Sequence, residues 1–366
     1  MIRIVGVGDI MPGGLLHGSN RRFVSDRVSS LLNEGDVRVG TLECAIGNNP
    51  CFLEGKMSRY GDVLYAPDED LKRVKDLNIN IVSLANNHLF DLGESGARHT
   101  IALLDEMGIL HCGAGMNLEE ARRPAVFEKD GLSVAFLAFC DTHRYMGYIP
   151  FATETSAGVN PLHEEYALNE IKNAKRMYDY VVVIPHWGRE HTFETTVWCY
   201  RMADKMFKAG ADLILGGHTH RVQPIINKRH NTVAFSMGNF LFPDRLIAPP
   251  LRATYYTDDI IDINRLPKTD KYPVVKELTY KVWPPLARYG MIVTTTLLKN
   301  SIESTYHLTH IDSNSFIDLS EGNMQIKRGL AKYHFLLGHT PYQLYISIKR
   351  RIVSLFKRKK ESYENK

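Results

Sequence analysis

The sequence is poor in several features that would place it in a large protein class. It has 5 cysteines among 366 residues and no Cys-x-x-Cys pair, which argues against a disulfide framework and favours reduced thiols. No apolar run reaches the roughly 18 residues that a membrane-spanning helix needs. The opening residues MIRIVGVGDIM lack the charged start and long apolar stretch of a signal peptide. We therefore expect a cytoplasmic globular protein.

The sequence also has little net charge, and the small positive excess lies at one end of the chain. The 45 Lys+Arg and 41 Asp+Glu give a formal charge of +4, yet residues 349–360 (KRRIVSLFKRKK) alone carry seven basic residues and no acid. The rest has 38 basic and 41 acidic residues. This mildly acidic body argues against nucleic acid as a partner. With 44% hydrophobic residues it can bury a sizeable core.

Short apolar runs alternate with amphipathic segments over about the first 243 residues. Predicted strands cover 2–8, 37–42, 80–85, 109–113, 133–139, 180–185, 212–217 and 232–238, and predicted helices lie near 20–33, 67–77, 93–107, 162–178 and 195–209. This alternation predicts a layered α/β fold. The pattern fades after about residue 245, and two more strands are predicted at 291–298 and 304–312.

We accordingly predict one domain over residues 1–320, with its core motifs in 1–243, followed by a basic appendage over 321–366. Residues 345–360 (YISIKRRIVSLFKRKK) place apolar side chains on one helical face and most basic ones elsewhere. That composition is typical of an amphipathic helix on an anionic membrane surface. A solubilising tail, or a segment docked on a partner, is the alternative. The oligomeric state is not determined by the sequence.

Residue types that bind metal ions follow the predicted strands one after another. In an α/β sheet the carboxyl ends of the strands meet at one edge, so these side chains can converge there. Carboxylates, imidazoles and an amide oxygen suit a divalent ion such as Mn, Fe or Zn. A carboxylate shared by two ions gives a site that binds phosphoryl groups and activates water. Each residue alone has an ordinary structural explanation, and only the ordered set indicates a site: Asp9, Glu43, Asn87, His88, His186, His218 and His220.

The ordered motifs have a close counterpart in a known family. GDIM, LEC, NNHLFD, PHWGRE, GADLILGGHTHRVQP and FSMGNFLF resemble those of the CapA family of bacterial capsule and poly-γ-glutamate biosynthesis proteins, which is related to the calcineurin-like metallophosphoesterases. The resemblance covers about residues 1–243. It implies an α/β fold of the metallophosphoesterase type, a four-layer α/β/β/α sandwich with a metal site at one edge of its two sheets.

The resemblance also implies roles for individual residues. It makes Asp9 and His220 ligands of a first metal, Glu43 the carboxylate shared between two metals, and Asn87, His186 and His218 ligands of a second metal. It makes His88 the catalytic residue that assists the leaving group. The sequence departs from the superfamily at Met11, where metallophosphoesterases have a histidine. A thioether is a poor ligand for such ions, so the number of ions, one or two, stays open.

Four further residues are candidates for the site. Asp91 either orients His88 or caps the following helix. Arg189 and Glu190 follow His186 and either contact an anionic substrate or form a solvated loop pair, and Asn239 either lines the site or forms a turn. Cys44 is expected in the core, and His191 on the surface.

The leading functional hypothesis is a metal-dependent hydrolase in the biosynthesis of a cell-surface polymer, poly-γ-glutamate or polysaccharide. Its substrate would be an anionic polymer or a phosphoester, and the basic tail would hold it at the inner face of the cell membrane. One alternative is a general metallophosphodiesterase or nucleotidase. Another is a non-catalytic assembly factor of a membrane synthase, which would use the metal structurally.

Overall fold

A computed structural model describes residues 1–48, 62–143, 147–249, 252–269, 275–299 and 301–320, together with Ile348. Apart from Ile348, the predicted appendage 321–366 and its amphipathic helix 345–360 lie outside the described residues. The described helices are α1 Asp26–Asn33, α2 Lys72–Asp76, α3 Gly93–Glu106, α4 Leu118–Arg122, α5 Glu164–Met177 and α6 Val197–Ala209. Short 3-10 turns cover Gly14–Leu16, Asp68–Leu71 and Pro285–Ala287.

Local chemistry accounts for the helix boundaries. The Ser25 hydroxyl accepts a hydrogen bond from the backbone N–H of Val28, so α1 begins at Asp26; the predicted start at residue 20 is wrong. Thr196 caps α6 in the same way through the N–H of Cys199. That helix ends at Ala209 and is capped by Gly210, whose φ of 117° is accessible to glycine at little cost.

Within the described residues, fourteen strands build two large sheets. In chain order they are β1 Ile2–Ile10, β2 Val37–Leu42, β3 Ile81–Ser83, β4 Leu110–Cys112, β5 Ala125–Lys129, β6 Leu132–Cys140, β7 Tyr180–His186, β8 Leu213–Leu215, β9 Ile225–Asn227, β10 Thr232–Ala234, β11 Asn239–Leu241, β12 Tyr289–Leu298, β13 Ser301–Ile311 and β14 Ile317–Leu319. The other described strands are short: Ala45–Ile46 with Tyr65–Ala66, Ala114–Gly115 with Gly158–Val159, and Arg245–Ala248 with Ala253–Thr254, Lys268–Thr269 and Thr279–Lys281.

The first sheet has the order β14-β13-β12-β1-β2-β3-β4, with β11 also paired to β1. Its β1, β2, β3 and β4 run parallel, whereas β12 and β13 join β1 as a long antiparallel hairpin. The second sheet has the order β9-β10-β8-β7-β6-β5, and its central strands are parallel. The strands predicted at 291–298 and 304–312 are therefore integral to the first sheet, because β12 pairs directly with β1.

The burial pattern of β7 shows how the layers stack. Val181 and Val183 pack with residues of α5 and α6 in one apolar cluster. Val182 and Ile184 point the other way, into a second cluster shared with β1 and with the helices α1 and α3. The sheets are in direct contact, since a Cβ placed on Gly6 would lie 2.7 Å from the Leu215 side chain. The predicted four-layer α/β/β/α order is confirmed.

Two other sequence features can be compared with the described residues. Four of the cysteines, including Cys44, are free and buried, and the fifth, Cys51, lies outside the described part of the chain. Within the described residues, no helix has the combined length and apolar character required to cross a bilayer.

Candidate functional site

The two sheets bring the predicted ligands to one edge. Asp9 lies at the end of β1, Glu43 directly after β2 and His186 at the end of β7. The register supports this convergence, because Asp9 pairs with Thr41 of β2 and His186 forms a bridge to Gly217 just beyond β8. The loops after β3 and β8 add the remaining residues: Asn87, His88, His218 and His220.

Two groups of possible ligand atoms share the Glu43 carboxylate. The ligand atoms of Glu43, His186 and His218 lie within 4.8 Å of one another, and those of Asp9, Glu43 and His220 do so as well. Oε1 of Glu43 is 3.4 Å from Nε2 of His186 and 3.7 Å from Nε2 of His220. This is the arrangement expected when one carboxylate serves two neighbouring ions.

Several buried atoms of these groups have no hydrogen-bond partner in the described part of the chain. They are Oδ1 of Asp9, Nδ1 of His186 and both ring nitrogens of His218. All three residues are at most 1% exposed. Leaving such an atom unsatisfied costs about 1–3 kcal/mol, so four of them in one place indicate a binding site. The Asp9 oxygen and one nitrogen of each neutral ring can offer a lone pair to a bound group.

The ionisation of the site residues suits a cation. Burial lowers the pKa of His186 to about 3. Burial, reinforced by the neighbouring imidazoles, holds the pKa values of His218 and His220 well below their usual range, so these rings are neutral, as metal ligands must be. Burial and then the charge of Glu43 raise the pKa of Asp9. A divalent ion would remove the repulsion between the two carboxylates.

The backbone after β8 has a conformation that lets it lie very close to the Asp9 carboxylate. A Cβ on Gly217 would lie 2.5 Å from Oδ1 of Asp9, so only glycine fits there. The next residue, His218, has a φ of 88° and donates its N–H to Oδ2 of Asp9 at 3.1 Å. His220 has a φ of 50°. A histidine in the left-handed region of φ and ψ costs conformational free energy. Strained residues of this kind are typical of functional sites.

His88 forms a pair with Asp91. Nδ1 of His88 lies 2.7 Å from Oδ2 of Asp91, which also accepts the backbone N–H of Leu64 at 2.7 Å. Because an ionised carboxylate only accepts, Nδ1 of His88 carries the hydrogen. Asp91 does not cap α3, whose N-cap is Leu92. Of its two possible roles, the structure therefore favours orienting His88.

Neighbouring asparagines hold the ligands. Oδ1 of Asn87 lies 2.9 Å from Nε2 of His186. Oδ1 of Asn239 accepts from Nδ1 of His220 at 2.8 Å, and its amide donates to the Ala287 carbonyl. Asn239 therefore contacts the candidate ligand His220 directly. Because Nδ1 of His220 bonds to Asn239, Nε2 is the ring nitrogen that faces Glu43.

Three other residues lie less centrally. Arg189 is exposed and Glu190 half-buried, both in the loop after β7, so they are not buried with the two ligand groups. Met11 is fully buried and packs in the apolar cluster between the layers. It belongs to neither ligand group.

Two residues near the site were missed by sequence reasoning. His191 is not a surface residue as expected: its ring lies 5.7 Å from that of His220, and burial lowers its pKa to about 4. Asp141 is fully buried, bonds to His143, and is close enough for its charge to act on His186. Asp141 follows the predicted strand 133–139, which is the same positional signal that identified the other acids.

Comparison with known proteins gives the family. The profile described as bacterial capsule synthesis protein PGA_cap matches residues 3–244. The chain belongs to this family. The PGA biosynthesis protein CapA of Bacillus subtilis (strain 168) is 29% identical over 241 residues, which are 64% of this chain and 62% of that protein. The capsule biosynthesis protein CapA of Bacillus anthracis is 32% identical over 248 residues, 64% of this chain and 58% of that protein.

The chain thus matches about three fifths of the length of these PGA_cap relatives. Among solved structures, a putative 5'-nucleotidase from Staphylococcus aureus in complex with alpha-ketoglutarate aligns with 90% of this chain and 58% of its own, at 14% identity and a TM-score of 0.45. That likeness is too remote to bear on the site.

The PGA_cap site fits a divalent ion on its own geometry. Each of the two ligand groups presents carboxylate and imidazole ligand atoms within 4.8 Å of one another. The unsatisfied oxygen of Asp9 and a ring nitrogen each of His186 and His218 can donate a lone pair to a metal ion. Nitrogen and oxygen ligands of this kind suit borderline divalent metals.

Proposed function

We propose that the chain is a metal-dependent hydrolase in the biosynthesis of a cell-surface polymer, poly-γ-glutamate or polysaccharide. It would cleave a phosphoester or an amide-like linkage of an anionic substrate. The observation that carries this proposal is the Glu43 carboxylate shared by two ligand groups, with the His88–Asp91 pair beside them. Membership of the PGA_cap family supports the pathway.

The residues that would hold metal form two sets. Asp9, Glu43 and His220 would hold a first ion, and His186 and His218, with Glu43 and Asn87, a second. Mn, Fe or Zn suits these ligands. A bound ion of this kind would act as a Lewis acid that polarises the substrate and activates water. Met11 adds no ligand, so the first ion would have three protein ligand residues rather than the four of the superfamily pattern.

His88 would transfer the proton. Asp91 fixes Nδ1 of His88, which leaves Nε2 to donate to the leaving group, and the Asp91 charge stabilises the protonated ring. His88 is close enough for its charge to act on His218. Asn239 contacts the candidate ligand His220, whereas Arg189 and Glu190 lie in the loop after β7. We propose Arg189 and Glu190 as contacts of the anionic substrate.

The test combines metal analysis with a panel of phosphoester and polyglutamate substrates. His88→Ala should keep its metal and lose about 10²–10⁴ in turnover, as expected for removal of a general acid. His218→Ala should lose metal as well. His163→Ala, on an exposed histidine before α5, is the matched control and should behave as the wild type. If both site variants match the wild type in metal and turnover, the catalytic proposal fails.

A non-catalytic assembly factor would need the metal but not the His88–Asp91 pair. A buried, 2.7 Å hydrogen bond between a histidine and an acid beside a metal site is a proton-transfer arrangement, which favours an enzyme. The assembly role would be supported instead by full metal content and no turnover on any substrate of the panel.

The basic tail suggests where the reaction takes place. Residues 345–360 combine apolar and basic side chains, and each basic residue near an anionic surface contributes about 1 kcal/mol. We propose that this segment holds the protein at the inner face of the cell membrane. Co-sedimentation with anionic vesicles should be strong for the full chain and weak for a chain ending at residue 340. Equal and salt-insensitive binding of both chains to the vesicles would contradict the proposed membrane attachment.

A further inference from the structure

His191 lies in the loop after β7 in an unusual backbone conformation. Three histidines among the described residues have a positive φ, namely His191 at 59°, His218 at 88° and His220 at 50°. This region is costly for residues other than glycine, and residues held in it gather at functional sites. Two of the three are candidate metal ligands. The grouping indicates that His191 belongs to the same functional centre.

Hydrogen bonds fix this loop against the segment after β8, which carries two of the candidate ligands. The backbone N–H of His191 donates to the carbonyl of Thr219 at 2.8 Å, and Thr219 lies between the two ligand histidines of that segment. The side-chain amide of Gln223 donates to the carbonyl of Thr192 at 2.9 Å. Because the loop is bound at successive residues, the His191 ring is positioned before any substrate arrives.

The His191 ring lies beside the ligands without being one of them. Its centre is 5.7 Å from that of the His220 ring and 6.3 Å from that of the Trp283 ring. Neither ligand group includes His191. The ring is therefore placed next to the group formed by Asp9, Glu43 and His220, where a group bound at the metal centre would meet it.

His191 is also more accessible than the other imidazoles of this centre. His88, His186, His218 and His220 are all at most 6% exposed, whereas His191 is half-buried. An imidazole carries at least one N–H in either protonation state. It can therefore donate a hydrogen bond to a carboxylate or phosphate oxygen, and such bonds to ionised acceptors are strong.

We propose that His191 is a substrate-binding residue, which donates a hydrogen bond to an anionic oxygen of the substrate on the His220 side of the metal centre. This inference rests on the proposed function of that centre. The oxygen belongs to a phosphoryl or a carboxyl group, and two probes distinguish these sources. The fixed backbone of the loop would place the donor without cost at the moment of binding.

Binding is measured by calorimetry on the full, metal-loaded chain carrying His88→Ala, so that no probe is consumed. The probes are inorganic phosphate and a poly-γ-glutamate oligomer, which offers carboxylates. Two added variants remove the imidazole in different ways. His191→Asn introduces a residue that tolerates the left-handed region, and His191→Phe keeps a ring beside His220. Each should weaken binding of at least one probe by about 10–100-fold, as expected for loss of a hydrogen bond to a charged group.

His230→Asn is the matched control, because it changes an exposed histidine between β9 and β10; it should bind both probes as the His88→Ala chain does. Weakening with phosphate supports a phosphoryl group as the ligand of His191, and weakening with the oligomer supports a carboxyl group. Unchanged affinity in both variants, or a His88→Ala chain that binds neither probe, overturns the proposal.

Two further measurements separate substrate binding from other roles of His191. Both variants should keep the metal content of the His88→Ala chain, and loss of an ion would make His191 a metal ligand and overturn the proposal. Normal affinity in His191→Phe beside weak binding in His191→Asn would assign the effect to ring packing and overturn it as well. Absent turnover in the wild type, with the predicted binding pattern intact, would instead refute the proposed function alone.

Discussion

Replacing Asp9 by asparagine should stabilise the metal-free protein while abolishing its response to metal. Burial and the charge of Glu43 raise the pKa of Asp9 above its unfolded value. An acid with a raised folded pKa opposes folding at neutral pH. That cost begins to shrink as the pH falls below the folded pKa and is gone below the unfolded pKa. Asparagine has the same shape without the charge, and its carbonyl can still accept the N–H of His218.

The magnitude follows from one buried, unsatisfied oxygen, Oδ1 of Asp9. Relief of such a group is worth about 1–3 kcal/mol. The entropy of unfolding is about 2.1 cal/mol/K per residue, so the Tm of a chain of this size moves by roughly 1.3 °C per kcal/mol. We therefore expect a rise of about 1.3–3.9 °C in the metal-free variant. Metal at a concentration of 100 times its Kd should raise the free energy of unfolding of the wild type by about 2.7 kcal/mol and that of the variant by much less.

Calorimetry of chelator-treated protein, followed by titration with Mn²⁺ or Zn²⁺, measures both effects. Asp244→Asn is the matched control, because this buried acid is bonded to Arg288, Tyr280 and the N–H of Trp283 and its replacement should destabilise the chain. If Asp9→Asn lowers the Tm as Asp244→Asn does, or keeps the full metal response, the reasoning about an unbalanced acid pair is refuted.

Three further predictions concern single residues. Gly217→Ala should weaken metal binding at least tenfold, because its Cβ would lie 2.5 Å from Oδ1 of Asp9; unchanged metal titrations would contradict this. Burial alone would raise the pKa of Asp62, but its basic neighbours lower it below the usual value of 3.8. The ionised Asp62 therefore stabilises the folded chain above pH 3.8, and this stabilisation is lost as the pH falls through the lowered pKa. Asp62→Asn should cost about 3–5 kcal/mol and flatten the denaturant-measured stability profile below that pH. Ser25→Ala should cost about 1 kcal/mol through loss of the α1 cap, which urea unfolding would show.

The alternation of strands and helices was predictable because most core strands are apolar on both faces, as β7 illustrates. The role of β12 and β13 was not predictable from the local pattern, because their pairing with β1 joins residues almost 300 positions apart. Local hydrophobicity carries no information about such a pairing. The start of α1 was misjudged because the cap at Ser25, rather than the apolar spacing, sets it.

The ligand set was predictable because its members follow strands whose carboxyl ends must meet. The sharing of Glu43 between two groups was not predictable, because distances between loops of two different sheets cannot be read from the spacing of residues in the sequence. The contacts of Asp62 with Arg245, Arg252 and Lys281 were missed for the same reason. Arg245, Arg252 and Lys281 lie in a region with weak periodicity, and only the short antiparallel strands bring them to Asp62.

The central claim, a metal centre organised around Glu43, is tested most directly by the metal content of the reconstituted chain. Element analysis after loading with Mn²⁺ or Zn²⁺ and desalting should find two ions per wild-type chain. It should find one in His218→Ala and none in Glu43→Gln, because only Glu43 belongs to both ligand groups. A wild-type chain without bound ions, or a Glu43→Gln variant with the full complement, would contradict the account.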